Sequence, residues 1–148
     1  MTKKLNRKAS PVRNSASGGG HPKKKASNGA RAFALAAAKV ASDRHCSDIM
    51  VLDLRGISPA TDYFVIATGT SDRQMRTVAD EICEAAKKQG LMRFGRAGYE
   101  QARWILLDFI DVVVHIFDSE YRDYYDLELL WGDAKRLIID TTPRETQG

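Results

Sequence analysis

Cysteine is scarce in this chain: of 148 residues only Cys46 and Cys83 carry a thiol, and no CxxC occurs. Two thiols cannot build the disulfide framework of a small secreted domain, so a reducing compartment is expected. Long apolar runs are missing as well. No stretch approaches the roughly 18 to 20 consecutive apolar residues that a membrane span needs, and no apolar segment of secretory-signal type follows the basic N-terminus. There are three histidines, and none stands at metal-ligand spacing from a second His or Cys, so no metal and no cofactor is expected. Phosphate-loop signatures are absent too. What is present is an ordinary core-forming composition, 43% hydrophobic, which excludes wholesale disorder and at this length suits one compact domain. The expectation is a small soluble cytoplasmic protein.

Acidic residues are absent from the first 31 positions, which hold nine basic ones: Lys3, Lys4, Arg7, Lys8, Arg13, Lys23, Lys24, Lys25 and Arg31. The overall net charge of +4 therefore conceals a body of 117 residues with a net charge of −5. A pI near 9.1 belongs to the tail and does not make the body a nucleic-acid-binding fold. Leu5 and Val12 are the tail's only sizeable apolar residues, and Pro11, Gly18, Gly19, Gly20 and Pro22 interrupt any helix. Residues 1–31 are thus expected to form a disordered basic tail, residues 32–140 a folded domain and residues 141–148 a flexible end. The tail reads as a solvated basic arm, charged to suit nucleic-acid phosphates. Its serine content and lack of acids also suit a transit peptide, and that alternative stays open.

In the body, Phe33, Ala36, Ala37, Val40 and Ala41 recur at helical spacing, which predicts a helix over 31–44. The run Ile49 to Leu54 and the segment Asp62 to Thr68 read as strands, the first covered on both faces. Ser71 with Gln74 three residues on makes a capping box, and Met75, Val78, Ala79, Ile82, Cys83 and Ala86 form the stripe of a helix that Gly90 stops. A weak strand is expected over 91–94. Trp104 to Asp108 and Val112 to Phe117 are strong strands separated by three residues, too few for a parallel crossover, so they pair as an antiparallel hairpin. A last helix spans about 119–131. The expected fold is α+β, a mixed five-stranded sheet with flanking helices.

Candidate chemistry is thin. Gly69-Thr70-Ser71-Asp72 joins a strand to a helix, where anions often bind. A nucleotidyltransferase would need two carboxylates on one strand face to hold Mg²⁺, and the nearest pair, Asp80-Glu81, lies within a helix, where neighbours diverge. His115 reads as a structural histidine, Cys83 as core, and Asp108 and Asp111 as turn residues. The last helix differs: Tyr121, Tyr124, Tyr125, Leu127, Leu129, Leu130 and Trp131 cover more than one face, and its polar residues are acidic except for Arg122. Such a helix is either wedged into the core or shared between its own sheet and a basic protein partner.

Asp62 to Ile66, Gly69 to Gln74 and Ala79 to Ile82, followed by Trp104 to Asp108, Asp111 to Phe117, Tyr125 to Glu128 and Leu130 to Ala134, resemble the two signatures of the Iojap family over residues 32–138. The resemblance implies a ribosomal silencing factor that binds the fourteenth protein of the large ribosomal subunit and obstructs joining of the small subunit. It implies a nucleotidyltransferase-like fold without catalytic residues, and frequent homodimers. It also places partner contacts at Trp104, Asp108, His115, Tyr125, Leu127, Leu130 and Trp131. The chain departs from the family pattern at Ile110, where a glycine is usual in the hairpin turn, and at Ala97, where an acid is usual. The rival reading is a divergent nucleotidyltransferase-like enzyme.

Overall fold

The structure, a computed structural model, describes residues 23–91, 95–124 and 132–139. The elements run in the order α1 (Lys23–Asp43), β1 (Ser47–Asp53), β2 (Tyr63–Gly69), α2 (Asp72–Lys88), β3 (Gly95–Ala97), β4 (Trp104–Asp108), β5 (Val112–Asp118), α3 (Ser119–Tyr124) and β6 (Lys135–Leu137). The sheet has six strands, not the five expected, in the order β3-β4-β5-β2-β1-β6. The extra strand is β6, which pairs antiparallel with β1 through Val51 opposite Leu137 and Asp53 opposite Lys135. Three residues with two bases carry no period-2 signal, so this edge strand is defined by its neighbour. The weak strand expected over 91–94 lies, from 92 on, outside the described residues, and β3 is described over Gly95–Ala97.

Every residue of β2 is buried, as are all five of β4 and six of the seven in β5. These strands lie at the sheet's centre, and β2 and β5 run parallel in register from Tyr63 opposite Val112 to Gly69 opposite Asp118. The β4–β5 hairpin is antiparallel, as its short connection requires. One sheet face presents Val51, Val65, Ala67, Ile105, Leu107, Val112, Val114 and Ile116 to the two long helices.

The first helix begins at Lys23, inside the stretch expected to be tail. Its buried stripe is Ala30, Phe33, Ala34, Ala37, Ala38 and Ala41, rotated from the expected one so that Ala36 and Val40 are only half-buried. Alanines on that stripe let the helix backbone lie close to the sheet, and Phe33 meets Phe109 edge-on with ring centroids 5.0 Å apart. The second helix matches expectation closely. Ser71 Oγ accepts from the Gln74 amide at 3.1 Å, whereas the Gln74 side chain accepts from the Thr70 amide at 2.5 Å rather than from Ser71. Gln74 Nε2 also donates to the Arg44 carbonyl at 2.7 Å, tying the end of α1 to the start of α2. At the other end Leu91 N–H bonds to Ala86 O and Gly90 N–H to Lys87 O, with Gly90 at φ +77°, the paired bonds of a Schellman stop.

Ile110 keeps the left-handed turn that a glycine would adopt, at φ +73°. Asp108 Oδ1 accepts from the Ile110 amide at 2.8 Å, and Phe109 N–H bonds to Val112 O at 2.9 Å, so the hairpin holds a β-branched residue where its Cβ is crowded. Ile110→Gly and Ile110→Ala remove the same packing, but only glycine relieves the strain. The glycine variant should therefore be the more stable by about 1 kcal/mol, the reverse of the usual alanine advantage. Paired urea denaturation curves check this.

Candidate partner-binding face

Side chains alternate across strands, so residues that do not face α1 and α2 form a second layer. It consists of Met50, Leu52 and Leu54 from β1 and the residue after it, Phe64 and Ile66 from β2, Trp104 and Leu106 from β4, and Val113 and Phe117 from β5, with Tyr121 and Ala134 packed at its margin. His115 lies within this aromatic layer and is fully buried. The Phe64 ring stands edge-on to it at 4.5 Å, and the Phe117 ring lies parallel at 6.1 Å. Trp104 Nε1–H donates to His115 Nδ1 at 3.1 Å, so the imidazole proton belongs on Nε2.

This face is fastened at the end where β5 runs into α3. Asp118 caps α3 by accepting from the Tyr121 amide at 2.8 Å. Arg103 bridges Asp118 at 2.6 Å and Glu120 at 2.9 Å, with its guanidinium 5.0 Å from the Tyr121 ring centroid. Arg122, 8% exposed, donates to Thr68 Oγ1 at 2.6 Å and to the Asp48 carbonyl at 3.0 Å. These two arginines fasten α3 to the sheet; the helix expected over 119–131 lies outside the described residues from 125 on. The pattern of the last helix pointed to Arg122 only as its single base among acids. A buried arginine spanning β1 and β2 was not legible from that.

The structure brings Trp104 and His115 into direct contact and places Asp108 on the same face of β4, at the hairpin end. All three are interior, at 2%, 0% and 2% exposure, so they shape the face from beneath rather than present it. Tyr125, Leu127, Leu130 and Trp131 lie outside the described residues. Asp80 and Glu81 diverge: Asp80 accepts from Tyr99 OH at 2.9 Å, and Glu81 pairs with Arg44. The loop before β4 is narrow at Gly98, where a Cβ would lie 2.0 Å from the Trp104 carbonyl oxygen. Among the described residues no group of three or more His, Cys, Asp or Glu is placed to hold a metal ion, and no helix is long and apolar enough to cross a membrane.

With this geometry in place, comparison with known proteins is decisive. A family model described as "Ribosomal silencing factor during starvation" matches residues 27–148. The chain belongs to the ribosomal silencing factor family. It is 44% identical to the ribosomal silencing factor of Bacillus subtilis over 104 residues, which is 70% of this chain and 88% of that one. It is 35% identical to the chloroplastic Iojap protein of Zea mays over 115 residues, 78% of this chain and 49% of that one. A crystal structure of a Chromobacterium violaceum protein superposes with a TM-score of 0.67 at 30% identity, covering 78% of this chain and 96% of that one. A Bacillus halodurans crystal structure gives 0.61 at 37% identity, covering 72% and 94%. The fold of this chain is therefore shared with those structures: an α+β sheet, here with two long helices on one face and the Trp104–His115 layer on the other.

Two measurements test the chemistry of this layer. Trp104→Phe leaves a buried acceptor on His115 and should cost about 1 to 3 kcal/mol. Adding His115→Phe removes the stranded acceptor, so the double variant should be less destabilised than the two single losses combined, as a double-mutant cycle by thermal denaturation would reveal. Burial pushes the Cys46 thiol up to about 11, so it stays protonated at neutral pH. Iodoacetamide should label Cys46 slowly in the folded chain at pH 8 and quickly after unfolding, read by intact mass.

Proposed function

We propose that this chain is a non-catalytic translational repressor that binds the large ribosomal subunit, at its fourteenth protein, and sterically obstructs association with the small subunit. The observation that carries the reading is the family match over residues 27–148, which takes in α2, all of α1 but its first four residues and the whole Trp104–His115 layer. The relatives are named as silencing factors, not as enzymes. A folded body of 117 residues has a radius of gyration near about 13 Å, hence a diameter of about 35 Å, and an object that wide is incompatible with close approach of two subunits at the surface it occupies. The effect needs no chemical step and lasts as long as the factor stays bound.

Within this proposal, Tyr125, Leu127, Leu130 and Trp131 supply aromatic and aliphatic contacts, and Trp104, Asp108 and His115 hold the sheet in shape. A basic, apolar-grooved protein suits that combination of aromatics and acids. The free chain forms a homodimer, and its place of action is the cytoplasm, with the ribosomes. In sucrose gradients the protein should travel with free large subunits and lower the yield of joined ribosomes as its concentration rises. Migration with small subunits alone, or unchanged joining at saturating protein, would sink the reading.

A further inference from the structure

Helix α3 is held from both flanks of the strand that leads into it. In the sheet order β5 lies between β4 and β2, with β1 beyond β2. From the β2 side, Arg122 of α3 reaches Thr68 and the Asp48 carbonyl of β1. From the β4 side, Arg103 meets Asp118 at 2.6 Å, Glu120 at 2.9 Å and the Tyr121 ring at 5.0 Å from its centroid. One fastening locates a helix but leaves it free to swing about that point. The second, on the opposite flank, sets its direction.

Arg103 itself stands on a firm footing. Its carbonyl accepts from the Asp118 amide at 3.0 Å, which ties it directly to β5. The loop before it, residues 98–102, is clamped to α2. Arg76 donates to the carbonyls of Tyr99 at 3.0 Å and Glu100 at 2.7 Å, and Tyr99 OH donates to Asp80. The Arg96 guanidinium covers the Tyr99 ring, 4.1 Å from its centroid, and Ala102 N–H closes the loop on Gly98 O at 2.9 Å. A guanidinium carried on such a frame passes the position of the sheet to α3.

Stability does not account for this arrangement. The Arg103 and Glu120 side chains are 45% and 81% exposed, and ion pairs so open to water add little to folding. What one planar group with three contacts does supply is orientation, because a fork bound to two carboxylates and laid on a ring has one geometry. The segment so oriented ends at Tyr124, and Tyr125 is the next residue of the chain.

We propose that Arg103 is a positioning residue for partner binding: through Asp118, Glu120 and Tyr121 it fixes the direction in which the chain leaves α3 toward Tyr125, Leu127, Leu130 and Trp131. The inference rests on the reading that these four residues contact the large ribosomal subunit. Arg103 acts through α3, not by meeting the partner. Loosening the clasp lets α3 take other directions, and affinity falls by the fraction of time spent in the competent one.

The test measures co-sedimentation of the full chain with purified large subunits over a concentration series, with melting curves and amide hydrogen exchange on the free chain. Arg103→Gln should weaken binding about tenfold, the loss expected if α3 keeps its direction about a tenth of the time. Its melting temperature should move by less than about 5 °C, while the amides of Tyr121 to Tyr124 exchange faster and those of β2 and β5 do not. Asp118→Asn keeps an oxygen for the Tyr121 amide but turns an NH₂ group toward Arg103, so it should reproduce the loss. The double variant should bind no worse than the weaker single one, because both break one clasp. Arg103→Lys keeps the charge without the fork and should restore binding only in part. Arg55→Gln breaks an exposed pair with Asp53 at the far end of the sheet and should leave binding unchanged. Additive losses from Arg103→Gln and Asp118→Asn would mean that Arg103 meets the partner directly, and would overturn the proposal. So would unaltered affinity in both single variants, which leaves the silencing reading standing. Failure of the unaltered chain to sediment with large subunits would remove that reading and this proposal together.

Discussion

The parallel pairing of β2 with β5 imposes the arrangement of everything else. Seven consecutive pairs join them, and each residue of β2 is buried, so the centre of the sheet must be covered on both sides. A parallel pair also cannot be closed by a tight turn, and the chain between the two strands must leave the sheet and return. Helix α2 makes the outward crossing over one face, then β3 and β4 bring the chain back so that β5 enters beside β2. Once that face is filled by α2 and α1, the other face is left to aromatic and aliphatic side chains from four strands, with α3 fixed at its edge. The aromatic face is thus the complement of the helical packing.

Much of this was legible in the residues because their signals were redundant. For α2 the cap, stripe and stop each pointed to the same boundaries, and the structure places Ser71, Met75 to Ala86 and Gly90 accordingly. The β4–β5 hairpin followed from chain length alone. Legibility failed where a single feature had to decide. Alanine-rich α1 offers little contrast between its faces, so its stripe was misplaced by part of a turn and its start was placed at 31 instead of Lys23. Three-residue β6 has no pattern of its own. Ile110 argued against a left-handed turn by its side chain, yet the hairpin's register and the Asp108 bond to its amide outweigh the crowding at its Cβ.

The candidate site shows a similar division. Trp104 and His115 were identified as site residues from a motif, but a motif does not say which way a strand residue points. Alternation along β4 and β5, together with the register that sets Trp104 opposite Phe117 and Leu106 opposite His115, puts both in one interior layer. Their mutual hydrogen bond makes the layer specific: the indole needs an acceptor and the imidazole supplies it, so neither buried polar atom is stranded. Arg122 has the same logic at larger scale, since a guanidinium at 8% exposure is tolerable only because oxygens from two strands receive it.

Several carboxylates of this chain are used structurally. Asp80 holds Tyr99, Glu81 holds Arg44, Asp108 holds the hairpin amide and Asp118 caps α3. Each of these four carboxylates turns to a different partner, so they do not converge on one point.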